Sequence, residues 1–328
     1  MRNSTESNPT IFSVFLDGSL HKMSKAEDVI YSIIIFISSI VTVSCLMVVG
    51  RSNTFHTNLQ GPIWWTAFCY FELTVSKMLT IVFQTTYLSE NYIPISGTPI
   101  LMWIAATHYH FIFNVMCAPI VIVFERSLAT KFVFDYERKK RRIILITLFI
   151  FQFSFSTTFT LLTIFNILRY VSAAVIAGLI AVSSLLAFLY INRINKRTLR
   201  FVETQNRDIK FNLSVRYQLR ENVKTFKMLT TLLIMLTVLI VLLAFLKTIP
   251  MISDITEDTK YMFKVSTDLI VHAGPIYVTP TLFWAVEDYR RIFYRLMGYD
   301  RRKVAPRQFD QNKREEDVYF EQFLQSLK

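Results

Sequence analysis

Seven windows along the chain are apolar on all sides: residues 29–50, 62–86, 99–124, 143–162, 170–191, 228–249 and 265–285. About 20 residues of helix are needed to cross roughly 30 Å of hydrocarbon, and every window reaches that length. The sixth makes the pattern plainest. MLTTLLIMLTVLIVLLAFL, residues 228–246, has no stripe that a soluble helix would turn toward a core. The short alternating segments of a closed barrel are missing. The pattern predicts an all-α polytopic membrane protein, a seven-helix transmembrane bundle over residues 29–285. Residues 1–28 lack a sustained apolar core after a basic start, so the first window is expected to serve as the insertion signal itself.

Two stretches outside the windows repeat at helical spacing. In VEDYRRIFYRLMG, residues 286–298, one face carries Tyr289, Ile292, Phe293 and Leu296, and Arg290, Arg291 and Arg295 surround the other. An amphipathic helix along the membrane surface is predicted, with Gly298 as its cap and residues 299–328 as a tail. In NLSVRYQLRENVKTFK, residues 212–227, Leu219, Val223 and Phe226 align between Arg220, Lys224 and Lys227. The sixth helix is therefore expected to extend beyond the bilayer.

Charge gives the bundle a direction. The net charge is +12 although 52% of residues are hydrophobic, and the cations are segregated into loops. Of 36 Lys and Arg, 28 lie in residues 51–61, 125–142, 192–227 and 286–328, against seven on the opposite side. Cytoplasmic segments collect cations, so the N-terminus is expected outside and the C-terminus inside. The run RKKRR, residues 138–142, also suits anionic lipid. Trp64, Trp65, Trp103 and Trp284 fall near window ends, where indoles anchor at headgroup level. Asn3 opens an outward glycosylation sequon, whereas Asn212 opens one on the inner side that should stay bare.

Ionisable groups inside spans are costly and mark candidate sites. Glu72 and Lys77 lie about 140° apart around one helix, so each is expected to turn toward another helix. His108, His110, Asp268 and His272 occupy the outward half, with Trp103 nearby. They read either as the lining of a ligand cavity or as contacts between helices. Lys247 reads as a rim anchor. Glu125 and Arg126, where the third span meets the cytoplasm, read either as a latch to neighbouring helices or as a pair reaching into the headgroups.

Other chemistries find little support. Cys45, Cys69 and Cys117 lie within apolar runs and read as buried thiols. His108 and His110 point to nearly opposite sides of a helix, so no shared metal is expected. No phosphate-binding glycine loop or hydrolase motif occurs, and neither a cofactor nor a catalytic residue is assigned. The basic segments lack the interleaved aromatics of nucleic-acid binders.

The stretches ERSLATKFVFDYE (125–137) and LSVRYQLRENVKTFKML (213–229) resemble those of G-protein-coupled receptors, specifically the nematode serpentine chemoreceptors of the epsilon (Sre) class. The resemblance covers about residues 29–297. It implies a chemosensory receptor in a sensory-neuron plasma membrane, in cilia, detecting an unknown small molecule and partnered by a heterotrimeric G protein. Glu125 and Arg126 stand where rhodopsin-like receptors carry the acidic–Arg pair that gates coupling, and Tyr217, Arg220 and Lys224 belong to the second stretch. Two rhodopsin-like marks are absent. No cysteine pair is placed to close an outer disulfide, and the seventh span reads GPIYVTPTLFWAV rather than Asn-Pro-x-x-Tyr. A transporter or channel, which would show solute flux without a G protein, is the alternative from a different class. An intramembrane enzyme, which would purify with bound metal, is the third.

Overall fold

A computed structural model describes residues 25–52, 57–87, 99–132, 142–168, 170–204, 213–252 and 255–299. Among them are ten helices and no strand. Asn3, Asn212, residues 138–141 and the tail from residue 300 lie outside the described residues, as does the side chain of Tyr217.

Helices α1 (Lys25–Arg51), α4 (Pro99–Lys131), α5 (Arg142–Ile164), α6 (Tyr170–Thr204) and α7 (Leu213–Ile252) each supply one span. Helices α2 (Thr57–Phe68) and α3 (Tyr70–Tyr87) share the second, with a break at Cys69. Their outer faces explain the lack of amphipathic stripes. Ile143, Ile150, Leu179, Leu186 and Phe245 are all exposed. Apolar surface on this scale belongs against lipid rather than water.

The seventh window is two helices instead of one. Helix α8 (Glu257–His272) stops at Ala273, and α9 (Gly274–Ala285) begins beside Pro275. Proline has no N–H and its ring crowds the carbonyl four residues back, so the helix ladder cannot run through. Ile276 N–H bonds instead to Ala273 O at 2.9 Å. That leaves the His272 carbonyl without a partner from its own helix, and two other helices supply donors. Ser38 Oγ of α1 donates to it at 2.9 Å and Tyr70 Oη of α3 at 2.5 Å.

Helix α4 runs through the middle and packs against α2, α3, α5, α6 and α7. The largest apolar core lies at the end where α4 finishes, which also carries most of the cationic loops and is called the basic end below. Val48, Leu59, Ile122, Phe188, Phe226 and Phe283 meet there. Helix α10 (Glu287–Leu296) tucks under this core, with Tyr289 fully buried and Phe293 against Phe283. Its apolar face thus covers the bundle, while Leu296 and Met297 remain exposed for lipid. Gly298, at φ +77°, closes α10 with two bonds, Gly298 N–H to Arg295 O and Tyr299 N–H to Tyr294 O. Glycine takes this left-handed position without steric penalty.

Candidate functional site

At the basic end, Glu125 and Arg126 are 0% and 3% exposed. Their side chains fold onto each other in a two-pronged pair, Nε to Oε2 at 2.5 Å and Nη2 to Oε1 at 2.6 Å. A planar guanidinium matches a carboxylate in this way, and burial strengthens the match. Arg126 Nη1 also reaches Asn222 Oδ1 on α7 at 3.5 Å. One turn further on, Thr130 accepts a bond from Asn195 Nδ2 of α6 at 2.8 Å. The pair is buried between helices rather than turned toward headgroups. Arg220 and Lys224 are exposed on α7 nearby.

The opposite end holds a polar layer. Lys77 Nζ pairs with Asp268 Oδ2 at 2.8 Å, joining α3 to α8, and lies 3.8 Å from the centroid of the Tyr31 ring. Cation–π attraction adds to the ion pair there. His108 lies within electrostatic range of Asp268 and Lys77. The His272 ring is wholly buried and meets Tyr31 edge-on at 5.9 Å. A second pair, His110 Nδ1 to Glu72 Oε2 at 2.7 Å, joins α4 to α3. One turn along, Gln152 Nε2 of α5 donates to Asn114 Oδ1 and Thr66 Oγ1, both at 3.0 Å. At the rim, Tyr261 donates to both oxygens of Glu27 at 2.9 Å. Burial, then the carboxylate beside it, pushes this phenol up to about 12, so it remains a donor at any ordinary pH.

Between the two ends lie two adjoining apolar cavities. The larger, about 160 Å³, is bordered by Thr42, Thr66, Tyr70, Leu236, Tyr277 and Thr279 among others. The smaller, about 80 Å³, lies toward the polar layer between α4, α5, α6 and α7, and Thr163 and Lys247 are its polar lining. Phe111, Val115, Leu243 and Val271 border both.

The sequence model of the family described as Sre G protein-coupled chemoreceptor matches residues 2–328. The chain belongs to this family. Serpentine receptor class epsilon-21 of Caenorhabditis elegans is 26% identical, over 96% of this chain and 88% of its own length. Serpentine receptor class epsilon-45 of the same organism is 22% identical, over 89% of this chain and 85% of its own. Serpentine receptor class epsilon-1 is 25% identical over 61% of this chain.

The Sre bundle separates residues that the sequence grouped together. Lys77, Asp268, His108 and His272 converge, and Glu72 meets His110, yet none of the six borders either cavity. Trp103 is 73% exposed on the outer face of α4, a position suited to headgroup anchoring. Lys247, read from sequence as a rim anchor, borders the smaller cavity. Tyr70, Thr163 and Tyr277 also border a cavity, and sequence reasoning passed over them. A hydroxyl in an apolar helix leaves no mark in the hydropathy pattern, because it usually bonds its own backbone. Among the described residues no cluster of His, Cys, Asp or Glu could hold a metal ion, and the three cysteines are free and buried.

Proposed function

We propose that this chain binds a small molecule inside the bundle and signals through a heterotrimeric G protein docking at the basic end. The Lys and Arg excess makes that end cytoplasmic and the N-terminus external, with the basic loops also attracting anionic lipid. The reading places the receptor in the plasma membrane, in the cilia of sensory neurons. Membership of the chemoreceptor family supports this. One observation carries the mechanism: the Glu125–Arg126 ion pair is completed within α4, while its tie to α7 is a hydrogen bond to Asn222. When α7 swings away, the charges stay paired. A ligand that binds the open arrangement better than the closed one would then drive the opening, since equal affinity for both would shift nothing.

Nucleotide exchange on a heterotrimeric G protein tests this, with full-length receptor in lipid nanodiscs. Glu125→Gln loosens the internal pair and offers Arg126 to other acceptors. Basal exchange should rise severalfold while the receptor still folds, and unchanged exchange would remove the latch role. For topology, protease should reach the tail only after cells are permeabilised. Digestion of the tail in intact cells would reverse the orientation.

A further inference from the structure

The two cavities differ in what they offer a guest. Around the larger one the hydroxyls are already committed as donors. Thr42 donates to Ser38 O at 2.8 Å, Thr66 to Pro62 O at 2.9 Å, Tyr70 to His272 O and Tyr277 to Ile270 O at 2.7 Å. The Thr279 hydroxyl faces the Cys45 thiol. This chamber therefore presents apolar surface and few protons.

Thr163 breaks the pattern. On the same helix Thr160 donates to Ser156 O at 2.7 Å and Ser156 to Gln152 O at 2.8 Å. Thr163 is 1% exposed and borders the smaller cavity, yet among the described residues its hydroxyl has no hydrogen-bond partner. The end of α5 fixes it in place. Asn166, at φ +56°, turns the chain, and Asn166 N–H and Ile167 N–H bond back to Thr163 O and Leu162 O. A buried hydroxyl left unsatisfied carries a penalty that a guest with an acceptor oxygen removes. Lys247, on another wall of the same cavity, brings an ammonium group.

We infer that the two cavities form one binding site for a small, mostly apolar molecule ending in a hydrogen-bond acceptor, a ketone or carboxylate. Its oxygen accepts from Thr163 and its hydrocarbon body fills the larger chamber past Phe111 and Leu243. Lys247 adds attraction when the head is a carboxylate. An apolar cavity of about 150 Å³ holds a benzene ring, so about 240 Å³ in total suits a guest of about ten heavy atoms. The site supplies the ligand class for the receptor reading above and rests on it for purpose, although binding needs no G protein.

The test measures affinity for octane, octylamine, methyl hexyl ketone and octanoate, using full-length receptor in nanodiscs and comparing variants in the same lipid so that partitioning cancels. The ketone and octanoate should bind roughly five- to tenfold more tightly than octane, as one hydrogen bond allows, and octylamine should gain nothing. Thr163→Val should bring the ketone down to the level of octane without changing octane itself, and Thr163→Ser should keep the preference. Lys247→Met should weaken octanoate and spare the ketone, and octanoate binding unchanged in that variant would overturn the part given to Lys247. Equal affinity for ketone and octane, a preference that survives Thr163→Val, or no binding by any of the four would overturn the site. A ketone preference without stimulated nucleotide exchange would keep the site and remove the receptor reading.

Discussion

The two ends of the bundle each hold a buried ion pair, built in opposite ways. Toward the polar layer, Lys77 and Asp268 lie 191 residues apart and join α3 to α8. At the basic end, Glu125 and Arg126 are neighbours on one helix. Pulling α3 from α8 would strand two charges in a low-dielectric interior, whereas moving α7 from α4 leaves the charges matched. One end is riveted and the other is free to part. For a receptor that opens toward a cytoplasmic partner, this is the useful polarity.

The largest expected effect breaks the rivet. Lys77→Met leaves Asp268 without its cation and should lower stability by about 3–5 kcal/mol, read as a fall in the thermal midpoint of the detergent-solubilised receptor. Adding Asp268→Leu should recover most of the loss. If the double variant is no better than the single one, the pair is not what joins these helices.

Loosening the other end should be milder. Asn222→Leu removes one long, neutral-acceptor bond to Arg126 and should lower stability by about 1 kcal/mol while raising basal nucleotide exchange. A loss as large as that of Lys77→Met would erase the contrast between the ends.

The break in the seventh span gives a finer probe. Tyr70→Phe deletes a donor to the His272 carbonyl, an expected loss of about 1 kcal/mol. In a Pro275→Ala background Ile276 N–H can bond that carbonyl, so the same substitution should then matter less. A double-mutant cycle measures the difference, and strict additivity would show that the two donors do not compete. Smallest of all, Trp103→Ala should change stability by less than about 0.5 kcal/mol and leave ligand affinity alone, because the indole faces outward. Weakened binding in that variant would return Trp103 to the ligand site.

The legibility of these features in the sequence follows how local each one is. The apolar windows and the face of α10 were readable because each depends on residues within one helix and on the solvent around it. Glu72 and Lys77 could be assigned to contacts between helices, since hydrocarbon tolerates no bare charge. Their partners could not be named. Asp268 is distant in the chain, and a half-turn rotation of α8 would have presented a different face. Thr163 was invisible for a related reason, because only the termination of α5 at Asn166 and the neighbouring α7 make its hydroxyl border a cavity.

By itself the sequence determined the number and placement of the spans, the asymmetry of charge between the two sides, and the proline that interrupts the seventh helix. All of these follow from transfer to hydrocarbon and from local backbone chemistry. The tertiary structure decided which charges pair, which carbonyl the break exposes to Ser38 and Tyr70, and where a hydroxyl is left facing an empty chamber. Those depend on the rotation and crossing of whole helices, which no short stretch of chain specifies.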